Sequence, residues 1–369
     1  MRVMVVGGLP RSLVNFRGPL LKAMVAAGHE VVASAAPAPP EVVQTLSDWG
    51  IPFRPIPLAR AGLNPVGDLR TLAALRRLIQ QEKPDRILAY TAKPVIYANL
   101  AARLAGRPPV YSMITGLGYG FGDGSVRQRW VGKVVQTLYR RALTHSAGVF
   151  FQNPDDRAVF QTMGLLPPEV PVTLINGSGV DLDWYAPQPL PETPVFLLVA
   201  RLLADKGIRE YVAAARQLKA QFPEARFRIA GDLDPNPMSV SRPEVAQWES
   251  EGVIEYLGKL DDVRPAFAEA QVYVLPSYRE GTPRTVLEAM AMGRPIITTD
   301  APGCRETVVH GRNGFLVPVR DVEALRSAME RFIVEPELAP AMGAESLKIA
   351  REKYDVHKVN AVILEAMGL

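Results

Sequence analysis

The sequence predicts an α/β protein with two tandem domains, and three observations support this. Short apolar segments alternate with amphipathic helical segments in both halves, which is typical of buried parallel sheets. A proline-rich stretch at residues 186–194 interrupts that alternation and is predicted to be the linker between the domains. The chain has 369 residues, which exceeds the length of one ordinary domain.

The predicted elements of the first half start at the N-terminus with a buried strand. Strands are predicted at residues 3–6, 29–34, 86–90, 110–114, 148–152 and 172–175. Helices are predicted at residues 13–27, 69–81, 95–105 and 127–143. Gly28 ends the first of these helices.

The alternation restarts after the proline-rich stretch. Strands are predicted at residues 195–200, 226–230, 253–257, 272–275 and 295–298, and a helix at residues 208–221. Ligands of such sheets bind at the carboxyl ends of the strands. With two facing sheets, we expect the functional site in a central cleft between the domains.

The composition is that of a soluble globular protein, with 48% hydrophobic and 22% charged residues. Cys304 is the only cysteine, so an intrachain disulfide is excluded, which fits a reducing compartment. The four histidines lack the spacing of metal ligands. Because no apolar run approaches the length of a membrane span, we expect a cytoplasmic protein, and attachment to the inner membrane face stays an open alternative.

The net charge of +4 is distributed unevenly. Residues 1–190 carry 20 Lys and Arg against 12 Asp and Glu, and the remainder carries a net charge of −4. A basic first half suits anionic lipid, phosphate or nucleic acid, and scattered surface charge explains it equally well. The basic amphipathic helix at residues 127–143 can lie on an anionic membrane or simply pack on the sheet.

Glu280 and Glu288 frame the segment with the strongest indication of chemistry. Glu280 lies in a Glu-Gly turn, and Glu288 lies inside a predicted helix that Pro283 can start and Gly293 can end. At about 1.5 Å per residue, Glu288 lies about 8 Å along the axis from Pro283. The free N–H groups of the first turn, which attract phosphate, lie between the two carboxylates. This arrangement fits an activated sugar, which presents sugar hydroxyls, a diphosphate and ribose hydroxyls.

Arg201 and Lys206 flank the turn between a predicted strand and the helix at residues 208–221. Two fixed cations at a strand end can hold a diphosphate leaving group without a metal. Taken alone, they are also compatible with two ordinary surface cations. Their combination with the two glutamates favours the diphosphate.

These two signals, in this order, resemble the retaining glycosyltransferases of family 4, which have the GT-B architecture of two facing Rossmann-like domains. Further matches span nearly the whole chain and lie at residues 7–8, 175–183, 256–263, 301–306 and 311–317. The run Thr-Gly-Leu-Gly-Tyr at residues 115–119 and the segment at residues 150–156 are similar to the branch that extends lipid-diphosphate-linked sugars in bacterial glycan assembly.

The resemblance implies the domain organisation. We expect an acceptor-binding Rossmann-like domain at residues 1–186 and a nucleotide-sugar-binding Rossmann-like domain at residues 187–353. Residues 354–369 are expected to form a C-terminal helix that returns to the first domain.

The resemblance also implies the donor site. The expected catalytic residues are Glu280 against the donor sugar and Arg201 and Lys206 on the diphosphate, while Glu288 binds the ribose hydroxyls. The remaining donor-binding residues are Gly8, Gly258, Lys259, Leu260, Gly281, Thr282, Arg284 and Thr285. An Asp-x-Asp motif is absent at the relevant place, so we expect no metal and no cofactor besides the nucleotide-sugar cosubstrate, most simply a UDP-sugar.

The acceptor side is defined by fewer signals. Arg11, Arg17 and Lys93 fall in or near loops after strands of the first domain, where they can bind an acceptor diphosphate or act as ordinary surface cations. Thr115 and Gly116 complete the expected acceptor set. Thr115 stands where many family members have a histidine, and whether it replaces that histidine is open.

The sequence therefore predicts a retaining, metal-independent glycosyltransferase that moves a hexose or N-acetylhexosamine from a UDP-sugar to a lipid-linked sugar. Nucleic acid is not an expected partner.

A nucleotide-sugar epimerase of the same architecture is one alternative, although we cannot place its acid and base carboxylates. A polyanion-binding protein is another, but it leaves the Glu280–Glu288 segment unexplained. A dinucleotide-binding oxidoreductase is disfavoured, because Gly7-Gly8 lacks the Gly-x-Gly-x-x-Gly spacing.

Overall fold

The computed structural model describes residues 1–59, 62, 64–106, 108–117, 126–234 and 239–369, without the side chains of residues 126–129. The chain forms two compact units. The first consists of Met1–Ser178 and His357–Leu369, and the second of Gly179–Val356.

The first unit alternates strands with helices. Its strands are β1 (Arg2–Val6), β2 (Glu30–Ala35), β3 (Phe53–Pro55), β4 (Arg86–Tyr90), β5 (Val110–Ile114), β6 (Ser146–Phe151) and β7 (Val172–Leu174). The helices between them are α1 (Pro10–Asn15), α2 (Gly18–Ala26), α3 (Pro40–Asp48), α4 (Pro65–Glu82), α5 (Ala92–Leu104), α6 (Val126–Leu143) and α7 (Pro154–Thr162).

The strands pair in the order β3-β2-β1-β4-β5-β6-β7, and every pairing is parallel. Alternate residues of a strand enter different apolar layers, as strand geometry requires. Val6 and Ala89 pack in the layer that contains residues of α4 to α7, and Val5 and Leu88 pack in the opposite layer. The strand order reverses between β1 and β4, so a ligand site is expected at their carboxyl ends.

The predicted helix at residues 13–27 is two helices, α1 and α2. The break lies at Arg17, which is the N-cap of α2, and a proline stands in the first turn of that helix. Pro19 has no backbone N–H, so a helix running through it would lose a hydrogen bond.

The amphipathic helix α6 packs its apolar stripe on the sheet. Ala142 is buried in the core, and Val135 and Leu138 pack against it. Trp130, at the other end of the stripe, keeps 67% of its surface exposed. Most of the stripe is therefore used inside the first unit.

The second unit repeats the alternation. Its strands are β8 (Val195–Val199), β9 (Arg226–Ala230), β10 (Glu255–Tyr256), β11 (Val272–Leu275), β12 (Ile296–Thr299) and β13 (Gly314–Val317). Its helices are α8 (Ile208–Gln221), α9 (Arg242–Ser250), α10 (Arg264–Ala268), α11 (Arg284–Ala291), α12 (Val322–Val334) and α13 (Leu338–Ile349), and α14 (Val356–Met367) follows them.

The second sheet has the order β10-β9-β8-β11-β12-β13 and is also parallel throughout. Its central strand β8 is buried at every position. The order reverses between β8 and β11. The turn with Arg201 and Lys206 follows β8, and the segment with Glu280 and Glu288 follows β11. The topology therefore places these two segments side by side.

The proline-rich stretch that was predicted as the linker packs on the second unit, and the units divide after Ser178 rather than after residue 186. The buried Arg294 donates to the carbonyl oxygen of Pro189 (3.0 Å), and the side-chain amide of Gln271 donates to that of Pro191 (3.3 Å). These contacts fix the stretch to its own unit.

The chain passes between the units at two neighbouring places. Val180 N donates to Tyr354 O (2.8 Å), and Val356 N donates to Val180 O (3.0 Å). From His357 onward the chain belongs to the first unit. Helix α14 packs Val359 and Ile363 into the apolar layer of that unit.

Candidate active site

The loop after β11 carries Glu280 and leads directly into α11. Glu280 N donates to Pro302 O (2.9 Å), and Ser277 Oγ donates to Glu280 Oε1 (2.8 Å). These bonds fix the backbone of the turn and the carboxylate at once. Ser277, which sequence reasoning left out, is therefore part of the site.

Lys206 meets Glu280 across the neighbouring loop. A short 3₁₀ turn at Ala204–Lys206 follows β8, and Lys206 Nζ pairs with Glu280 Oε1. The side chains of Lys206 and Glu280 are only 15% and 17% exposed, so the pair is poorly screened by solvent. Tyr278 N donates to Asp205 O (2.8 Å) and ties the two loops together. The structure thus unites two residues that the sequence separates by 74 positions.

Gly207 allows this close approach. It has φ of +69°, and a Cβ at this position would lie 2.8 Å from the carbonyl carbon of Pro276. A side chain would strain the backbone and force the loops after β8 and β11 apart.

Arg201 lies in the same loop as Lys206 but pairs with a different carboxylate. Its guanidinium donates to Asp234 (3.0 Å), in the loop after β9, and about half of its side chain is exposed. Arg201 does not join the Lys206–Glu280 pair in this arrangement. Its predicted contact with the diphosphate stays a prediction.

Helix α11 begins at Arg284 with Pro283 as N-cap, one residue later than predicted. Its N-terminus has no side-chain cap among the described residues and no acidic residue in the first turn. Thr285 is held by Tyr273, whose hydroxyl donates to Thr285 Oγ1 (2.6 Å). Gly281 is buried and Thr282 is half-buried in the preceding turn. This helix start is suited to an anion.

Glu288 is buried on α11, with 4% of its surface exposed. The Tyr185 hydroxyl donates to Glu288 Oε1 (2.8 Å), and Arg284 Nε lies 2.7 Å from the same oxygen. Burial raises the pKa of the Glu288 carboxyl, although the positive charge of Arg284 and the hydrogen bond from Tyr185 lower it. Sequence reasoning missed Tyr185, because nothing in the local pattern marks a contact 103 residues away.

The loop that carries the predicted donor-binding residues Gly258, Lys259 and Leu260 follows β10. Gly258 has φ of +68°, and its carbonyl oxygen accepts from Gly231 N (2.8 Å) in the loop after β9. Lys259 is largely exposed, with Nζ 4.0 Å from Asp232. Leu260 packs against the apolar layer that contains Tyr185. The loop therefore lies on the same edge of the sheet as the residues after β9.

The turn around Glu280 is supported from behind by the loop after β12. Gly303 has φ of +81° there. A Cβ at this position would lie 2.6 Å from the carbonyl oxygen of Gly281 and closer still to that of Glu280. Any side chain at residue 303 must therefore displace the turn that carries Glu280.

Gly303→Ala is expected to lower turnover by about 100-fold, because the added Cβ would displace Glu280, the expected catalytic residue, and a displacement of about 1 Å has an effect of that size. The matched control is Gly311→Ala, since Gly311 has a similar φ of +78° but no atom near the added Cβ. Steady-state kinetics and thermal melting of both variants separate the displacement of the Glu280 turn from the backbone strain that a side chain causes at a positive φ. Equal activity in the two variants would show that contact with the Glu280 turn is unimportant.

In the first unit, the loops after β1 and β4 meet where the strand order reverses. A Cβ at Gly8 would lie 2.7 Å from Thr91 Oγ1. Thr91 itself has φ of +69°, which is unusual for a β-branched residue. Gly8 thus permits a close approach of its backbone to the β4 loop.

The three predicted acceptor cations all have partners. Lys93 Nζ pairs with Asp68 (2.8 Å) and is largely buried, and Arg11 pairs with Glu41 (2.6 Å) on the surface. Arg17 is buried, with its guanidinium 5.1 Å from the centre of the Tyr90 ring. Each of these cations thus has its own partner in the structure, and their acceptor role stays a prediction.

Thr115 and Gly116 follow β5 directly and are half-buried. Residues 118 and 119 of the Thr-Gly-Leu-Gly-Tyr run lie outside the described residues. Within the described part of the chain, no group of three or more His, Cys, Asp or Glu side chains is arranged to hold a metal ion. Among the helices that the structure describes, none has the length and apolar character needed to cross a bilayer.

Two family profiles match the chain in tandem. The profile of the glycosyl transferase 4-like domain covers residues 17–177, and that of glycosyl transferases group 1 covers residues 193–335. Their order agrees with the two units, and the second match contains the Lys206–Glu280 pair and Glu288.

Similar proteins cover almost the whole chain. The N,N'-diacetylbacillosaminyl-diphospho-undecaprenol alpha-1,3-N-acetylgalactosaminyltransferase of Campylobacter jejuni is 26% identical over 92% of this chain and 91% of its own length. Sucrose-phosphate synthase from Thermosynechococcus elongatus has a TM-score of 0.80 at 17% identity, covering 99% of this chain and 98% of that one. HepE from Anabaena, solved with UDP, has a TM-score of 0.78 at 20% identity and covers 100% of both chains. The chain therefore belongs to the glycosyltransferases that these two profiles describe, and it has the GT-B fold.

Proposed function

We propose that the protein is a retaining glycosyltransferase that moves an N-acetylhexosamine or hexose from a UDP-sugar to a lipid-diphosphate-linked sugar. The observation that carries this proposal is the Lys206–Glu280 pair beside the uncapped start of α11. A cation and helix amides suit a departing diphosphate, and the adjacent carboxylate suits the sugar.

The chemistry follows from how charge develops in glycosyl transfer. As the bond between C1 and the diphosphate oxygen breaks, the sugar ring becomes positive and the phosphate becomes more negative. Lys206 and the first amides of α11 stabilise the phosphate, and Glu280 lies on the side of the positive ring. The acceptor hydroxyl attacks from the face that the phosphate leaves, and its proton passes to the departing phosphate oxygen. This course requires no protein nucleophile and no metal.

The donor and acceptor classes rest on the relatives. The Campylobacter enzyme is named for transfer of N-acetylgalactosamine to a sugar on undecaprenyl diphosphate, and the Anabaena protein was solved with UDP. We therefore place this protein at the cytoplasmic face of the membrane, where a lipid-linked acceptor is accessible. The basic surface of the first half supports this placement, because it attracts anionic lipid.

The test is a donor screen followed by an acceptor screen. Thermal melting with UDP-GalNAc, UDP-GlcNAc, UDP-Gal, UDP-Glc and GDP-mannose should show stabilisation by a UDP-sugar. The best donor is then incubated, with and without EDTA, with undecaprenyl-diphosphate sugars, and NMR of the product reports the anomeric configuration. Retention without metal supports the proposal. Inversion, loss of activity in EDTA, or no stabilisation by any UDP-sugar contradicts it.

A further inference from the structure

Tyr185 has a buried hydroxyl group that the proposed chemistry does not yet use. Only 6% of its surface is exposed, and the hydroxyl donates to Glu288 Oε1 (2.8 Å). A buried tyrosine hydroxyl needs a hydrogen-bond partner. Here the partner is the one glutamate that is itself buried and expected to face the nucleotide.

The two carboxylate oxygens of Glu288 have different surroundings. The Tyr185 hydroxyl and Arg284 Nε both contact Oε1. Within the described residues, no hydrogen bond reaches Oε2. The carboxylate is held at one oxygen, so its second oxygen is available to accept hydrogen bonds from a ligand.

Tyr185 is itself held firmly. Its backbone N donates to Asp181 O (3.0 Å), and the neighbouring Trp184 stacks with the guanidinium of Arg264 at 3.7 Å. Its ring packs in the apolar layer that contains Leu287 of α11. The hydroxyl therefore has a fixed position relative to the helix that carries Glu288.

Arg284 cannot replace Tyr185 in holding Glu288. It stands at the start of α11, is one-quarter exposed, and reaches Glu288 from one helical turn away. A cation at a helix start is also attracted by a diphosphate. When a donor binds, Arg284 can turn toward the phosphate, and Tyr185 then remains as the fixed donor to Glu288.

We propose that Tyr185 is a positioning residue that holds Glu288 through Oε1, so that Oε2 accepts hydrogen bonds from the ribose hydroxyls of the nucleotide. This inference rests on the proposed use of a UDP-sugar. It adds a residue from the segment before the proline-rich stretch to the donor site, and it assigns separate tasks to the two oxygens of one carboxylate.

The test compares two nucleotides on two variants by calorimetry. Tyr185→Phe is expected to weaken binding of UDP by about tenfold, because it removes one hydrogen bond to a charged group. With 2′,3′-dideoxy-UDP, which lacks the ribose hydroxyls, Tyr185→Phe should bind as the unmodified protein does. The control is Tyr211→Phe, which also removes a buried tyrosine hydroxyl of the second unit, here bonded to Phe196 O (2.9 Å). It should change the affinity for neither nucleotide.

A second comparison tests whether Tyr185 acts on the nucleotide through Glu288. In a Glu288→Gln background, adding Tyr185→Phe should have no further effect on UDP affinity. An equal loss for UDP and dideoxy-UDP, or no loss for either, overturns the inference and leaves the proposed function intact. Failure of the unmodified protein to bind UDP at all overturns both.

Discussion

Glu280→Gln is expected to lower turnover by about 100- to 1000-fold, the size of effect seen when one preorganised charge contact of an active site is removed. Glutamine keeps the volume of the side chain and can still accept from Ser277 Oγ, but it removes the charge that pairs with Lys206 and that, in the proposed mechanism, faces the sugar ring. The positive ring exists in the transition state and not in the bound donor, so the affinity for UDP should change little.

The measurements are kcat with the best donor and acceptor, the calorimetric affinity for UDP and the melting temperature. Glu335→Gln serves as the control, because Glu335 is a carboxylate paired with an arginine on the surface, at the end of α12. Unchanged turnover in Glu280→Gln would remove this residue from the mechanism. A loss of turnover that parallels a loss of folded protein would assign it a structural role instead.

Lys206→Met is expected to lower kcat/KM by about 100- to 1000-fold, because it removes the cation that the proposed mechanism places beside the departing phosphate. Methionine keeps most of the apolar stem, which limits the effect on packing. UDP should also bind more weakly, since a diphosphate is charged before the reaction as well as after it. The weaker binding of UDP distinguishes Lys206→Met from Glu280→Gln, which is expected to leave the affinity for UDP nearly unchanged.

The double variant provides a further check. Lys206 and Glu280 form one ion pair, so the loss in the double variant should be smaller than the product of the two single losses. Lys348→Met, on the exposed face of α13, is the control for removing a lysine. Strictly multiplicative losses would indicate that the two residues act independently of each other.

The alternation of strands and helices was predictable because it depends on local apolar patterns. The predicted strands at residues 86–90, 110–114, 226–230 and 272–275 have the observed bounds. The short strand β3 was not predicted, and neither were strand β13 and several helices, among them α3, α7 and α12. β3 has only three residues, and it pairs with β2 through contacts that a local pattern does not show.

The candidate site was predictable to the extent that its residues stand next to strand ends. Lys206 and Glu280 follow β8 and β11, and the parallel sheet brings these strand ends together. The partners of single side chains were not predictable in the same way. Lys93 is paired with Asp68, and Glu288 with Tyr185, through tertiary contacts across 25 and 103 residues.

The contacts of the proline-rich stretch were also not predictable from a local pattern. Its composition correctly indicates an interruption of the alternation, but composition does not show which surface a segment contacts. The carbonyl groups of Pro189 and Pro191 accept hydrogen bonds from Arg294 and Gln271, which lie about 100 and 80 residues further along the chain.

The return of residues 357–369 to the first unit affects how such proteins can be recombined. A chimaera that exchanges the second unit for that of a relative needs two junctions, after Ser178 and before His357. A single crossover near the proline-rich stretch would instead graft a foreign last helix, with its own versions of Val359 and Ile363, into the core of the first unit. Recombination that aims to change the donor should therefore exchange the internal segment between these two junctions and not the whole C-terminal half of the chain.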